Sequence, residues 1–67
     1  MRLQELHALG ERGLLLWRVT DDPLTLSAAT CLLQIHNAKL TPPQIRAKEL
    51  IERQLDAYEV LYTKPLV

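Results

Sequence analysis

Cys31 is the single thiol of the sequence, and His7 and His36 are its two imidazoles. A reactive cysteine needs a nearby cation or a helix N-terminus to favour the thiolate. Cys31 instead lies in a stretch, Pro23 to Ala38, that carries no charged residue. It reads as an inert buried thiol that behaves as a small hydrophobe. His36 follows Cys31 by five positions, about 140° round a helix, so thiol and imidazole do not converge. His36 reads as a polar edge residue near a helix C-terminus, where the dipole favours a partly protonated ring. His7 stands among polar neighbours and is expected to be solvated. Two histidines without shared spacing do not make a metal site.

Paired carboxylates are the other route to acid–base chemistry. Asp21 and Asp22 are adjacent, but they precede a helix start and are explained by capping. Glu49, Glu52, Asp56 and Glu59 read as a solvated face carrying salt bridges. Neither a glycine-rich phosphate loop nor a nucleophile elbow is present. A chain of 67 residues also has little capacity to enclose a pocket of ordinary size. No catalytic activity, metal or cofactor is expected.

Residues suited to binding are more evident. Trp17, with Arg12 and Arg18 nearby, has the composition of an interface hot spot; the competing role is to plug a core poor in aromatics. Tyr58 and Tyr62 offer a second contact face. A helix pair joined by Asn37 to Thr41 invites a helix-turn-helix reading, with Gln44, Arg46, Lys48 and Arg53 as DNA contacts. Against it stand two prolines at the tip that would enter the groove, a turn without glycine, and a formal net charge of zero. Phosphate contacts dominate nucleic-acid affinity, and a binder usually carries a basic face. Nucleic acid is therefore the lesser alternative, and an anionic membrane surface is disfavoured on the same ground.

The elements that must position these residues follow from two proline-bearing breaks, Thr20–Pro23 and Leu40–Pro43. A single all-helical domain of three helices is expected, over about 2–19, 23–39 and 42–62. The sequence is 48% hydrophobic and 24% charged, aliphatic rather than aromatic, which suits a folded helical protein. In the first segment Leu3, Leu6, Leu9 and Leu16 keep helical spacing. Gly10 and Gly13 each cost about 1 kcal/mol in a helix interior. Either one helix uses them for close approach to a neighbour, or the helix ends near Gly10 and residues 14–19 form a second piece. One helix is the preferred reading.

The second helix starts with Asp22 as cap and Pro23 at its first position. Leu24, Ala28, Cys31, Ile35 and Ala38 form an apolar seam, flanked by Leu32. Leu26, Ala29, Leu33 and Leu40 form a second stripe. A helix so uniformly apolar needs cover on most sides. Two neighbours from so short a chain barely supply it. Self-association through Leu24, Ala28, Cys31, Leu32 and Ile35 is therefore expected, giving a small bundle completed by a second copy.

The third helix opens with the capping-box sequence Thr41-Pro42-Pro43-Gln44. Ala47, Ile51, Leu55, Tyr58 and Tyr62 mark its inner face, and Arg46, Glu49, Arg53 and Asp56 its outer one. Lys48–Glu52 and Glu49–Arg53 are i,i+4 pairs. Lys64-Pro65 closes the helix, leaving Leu66-Val67 as an apolar tail.

The N-terminal residues lack the apolar core of a signal peptide, and no run approaches the roughly 20 apolar residues that span a bilayer. A cytoplasmic address is expected. By elimination the chain reads as a non-enzymatic interaction or regulatory module that binds a protein, itself or another chain. The alternatives are a small DNA-binding regulator and a subunit or assembly chaperone that needs a different partner.

Overall fold

A helix buries one stripe, and the first segment supplies one. Leu6, Leu9, Gly10, Gly13 and Leu16 fall at i, i+3, i+4, i+7 and i+10, and all five are buried in the computed structural model. The structure describes residues 2–62, with side chains through Tyr58. Three helices make it up: α1 (Leu3–Thr20), α2 (Pro23–Leu33) and α3 (Pro42–Tyr62). No strand occurs among the described residues. The tail Leu66-Val67 lies outside them.

α1 is one continuous helix, so residues 14–19 are helical. Its glycines face α2. A β-carbon on Gly13 would lie 2.9 Å from Ala29 Cβ and 3.0 Å from Ile51 Cδ1. One on Gly10 would lie 2.9 Å from Leu33 Cγ and 3.1 Å from the Ala29 carbonyl oxygen. The propensity lost at the two glycines is thus exchanged for close contact between α1 and α2. The helix ends at Asp21, which adopts the left-handed conformation (φ 56°) and donates its N–H to the Trp17 carbonyl at 2.7 Å. Glycine is the usual residue at such a terminus.

Asp22 caps α2 by accepting the Leu24 N–H at 3.0 Å, with Pro23 at the first helical position. The helix runs to Leu33, not to residue 39. Beyond it, Ile35 folds inward and is buried. Its carbonyl accepts a hydrogen bond from His7 Nε2 at 2.7 Å. Asn37 Oδ1 then accepts the Lys39 N–H at 2.9 Å, an Asx turn that competes with helix. The pull of a tertiary partner and a local side-chain bond together end the helix early.

The core face of α2 is also rotated by one residue from the expected seam. Thr25, Ala28, Ala29 and Leu32 are buried, while Leu24 and Ala38 are exposed and Cys31 is half-buried. A polar residue takes a core position because it has a partner: the Thr25 hydroxyl donates to Gln54 Oε1 on α3. Small Ala29 is needed opposite the two glycines. α2 packs antiparallel to α1, as the pairs His7–Ile35 and Gly13–Ala29 require. Leu6, Leu9, Ala28, Ala29, Leu32, Ile35, Ala47 and Ile51 close one core.

α3 starts with half of the expected capping box, the Gln44 side chain accepting the Thr41 N–H at 2.9 Å. Ala47 and Ile51 are buried, and Arg46, Glu49, Arg53 and Asp56 are exposed, as the periodicity requires.

Two substitutions test this account by chemical denaturation. Gly13→Ala should destabilise the protein by about 1–3 kcal/mol despite alanine's better helix propensity, because Ala29 Cβ has no rotamer with which to yield. Asp21→Gly should raise stability by about 0.5–1 kcal/mol by relieving the left-handed backbone.

Candidate functional site

The described residues offer several surfaces on which the sequence's binding residues can be placed. The first is a cleft between α1 and α3 of about 630 Å³, lined by Glu5, Ala8, Leu9, Arg12, Glu52, Leu55 and Asp56. Its carboxylates are not buried, and Glu52 accepts a salt bridge from Lys48 Nζ at 2.9 Å. Among the described residues, no three His, Cys, Asp or Glu side chains are placed to hold a metal ion.

The second surface is a shallower groove between α2 and α3 of about 470 Å³. Leu24, Ser27, Ala28 and Cys31 form one wall, and Pro43, Arg46, Ala47 and Leu50 the other. It brings together residues expected to serve different ends, Leu24 and Cys31 from the apolar seam and Arg46 from the basic set. Cys31 is half-buried here rather than enclosed.

The expected self-association residues separate on this geometry. Ala28, Leu32 and Ile35 belong to the chain's own core, so a second copy reaches them only by opening the fold. Leu24 is 66% exposed, and with Cys31 it is what α2 offers to a partner. The uncharged stretch is covered from within because it is shorter as a helix than its sequence implies, and because Ile35 and Leu40 return to pack on the core.

The third surface is the outer face of α1. Leu15 is 64% exposed and Val19 59%. Arg18 beside them is exposed, and Trp17 is half-buried. Sequence reading passed over Leu15 and Val19, although a signal was present. Three consecutive leucines at 14–16 cannot share one face of a helix turning about 100° per residue, and placing Leu16 inward sends Leu15 outward. Tyr58 is half-buried; the Tyr62 side chain lies outside the described residues.

The basic set on α3 is interrupted by acid. Arg46, Glu49 and Arg53 line one shallow surface together with Leu50, and Lys48 is held by Glu52. Gln44 turns its side-chain oxygen back to the Thr41 amide. The α2–α3 connection spans residues 34–41, longer than the turn of a helix-turn-helix.

His7 departs from expectation most clearly. It is half-buried, not solvated. A carbonyl oxygen only accepts, so Nε2 carries the proton in the bond to Ile35. His36 is exposed, beyond the end of α2.

No family model, curated protein or solved structure matches the chain. No helix among the described residues is long and apolar enough to cross a membrane.

His7→Ala should cost about 1 kcal/mol of stability, the typical loss for one such hydrogen bond. Hydrogen exchange should place the effect locally, with amides of residues 34–40 exchanging faster and those of α3 little changed. Uniform acceleration across the chain would contradict the local role assigned to this contact.

Proposed function

We propose that this protein is a small non-enzymatic interaction or regulatory module that works through helix–helix contact, and that it binds in the first place to a second copy of itself. The observation that carries the reading is the exposure of large aliphatic side chains by a chain whose core is otherwise closed. Leu15, Val19 and Leu24 are each more than half exposed. Leu15 and Val19 lie in the last turns of α1, and Leu24 in the first turn of α2. A single exposed leucine is ordinary, whereas several at one end of a helical hairpin fit a contact surface. A chain of this size gains stability from partner binding by mass action.

The DNA-binding alternative draws less support. Its cations on α3 share their surface with Glu49 and Glu52, and the net charge gives no long-range attraction to phosphate.

Light scattering on a sizing column, across a concentration series at two salt levels, tests the proposal. A mass that rises from one chain toward two with concentration is the expected result, with little weakening in salt if the contact is mainly apolar. A folded monomer at every concentration would refute self-association and turn attention to a different partner chain.

A further inference from the structure

We infer that the second copy docks on the outer face of α1, helix against helix in antiparallel orientation, with Leu15 at the two-fold axis. This rests on the self-association proposed above and names its surface. The face is centred on Leu15, with Glu11 and Arg18 along one flank and Ala8, Val19 and Arg12 along the other. It lies on the side of α1 away from the buried stripe of Leu6, Leu9, Gly13 and Leu16; Glu11, Leu15, Arg18 and Val19 are exposed there, and its Ala8 edge borders the α1–α3 cleft.

Charge complementarity identifies the occupant. Glu11 and Arg18 are both exposed and make no ion pair among the described residues. They are seven residues apart, about 10 Å along the helix, too far to pair with each other. A two-fold axis through Leu15 reverses the chain direction and keeps each flank against its own copy. Glu11 then faces Arg18 of the second copy, and Arg18 faces the second Glu11. The same operation sets Leu15 against Leu15 and brings Val19 near Ala8 of the other chain, a large residue beside a small one. One operation thus matches Glu11 with Arg18 twice, leaves Arg12 toward the α1–α3 cleft that it lines, and covers the two most exposed aliphatic residues of α1. An isologous contact of this kind closes on itself as a dimer and does not propagate.

The α2–α3 groove is a poorer seat for the same partner. Among the described residues that line it, Arg46 is the one charged side chain, and none of them is an acid to answer it when a second copy is brought up.

Charge reversal with rescue is the test, read as the dimer dissociation constant by sedimentation equilibrium at low salt. Glu11→Arg and Arg18→Glu each set like charges opposite each other twice and should weaken the dimer about 3- to 10-fold. The double variant restores opposite charges and should return to within about 2-fold of the parent. Leu15→Glu should weaken it by more than about 10-fold. All of these positions are exposed, and unchanged circular dichroism checks that each variant folds. A dimeric parent with variants of equal affinity, or single reversals that the double variant does not rescue, would overturn the α1 interface while leaving self-association standing. A parent that stays monomeric would remove both.

Discussion

The close approach of α1 to α2 is the constraint from which the rest of the molecule follows. Gly10 and Gly13 lie on the buried stripe of α1, with Ala29 of α2 against them. Helices that meet through small residues bring their backbones close, and dispersion contacts multiply as the separation falls. Leu33 then reaches across to where a β-carbon on Gly10 would stand, and Ile51 of α3 to where one on Gly13 would stand. A short chain with no phenylalanine cannot fill a wide interior. It forms a dense core by making the interior narrow.

That narrowness decides what is left for the surface. A core whose described residues are all alanine, leucine or isoleucine has no room for every apolar side chain in a sequence so rich in them. Leu14 and Leu16 are taken in at least partly, and Leu15 is left out. Contact residues on the outside are the complement of tight packing on the inside. Their place on α1 follows from where the glycines point.

Much of this was legible in the residues. Three helices, the prolines that open α2 and α3, the Asp22 cap and the burial of Ala47 and Ile51 on α3 all follow from spacing and capping chemistry. The errors have identifiable causes. Extending α2 to residue 39 ignored Asn37, whose side chain bonds the backbone two residues on, and could not anticipate the bond from His7. The seam on α2 was drawn through apolar residues alone and so missed Thr25, fully buried but satisfied from another helix. Expecting a second copy to cover α2 overlooked Ile35 and Leu40, which fold back over the core once the helix has ended. Apart from the local Asn37 turn, these misses are tertiary contacts that sequence periodicity does not contain.

Thr25 and Gln54 also bear on the register of α2 and α3. An interface of leucine, isoleucine and alanine tolerates a slip of one helical turn, since another apolar residue arrives where the first had been. A buried hydroxyl resists it, because such a slip takes away its Gln54 acceptor, at a cost of about 1–3 kcal/mol where the hydroxyl is left unpaired. α3 has 21 residues against 11 in α2, so the longer helix has length along which to slide. The hydroxyl selects a single alignment from several that hydrophobic contact alone would leave close in energy.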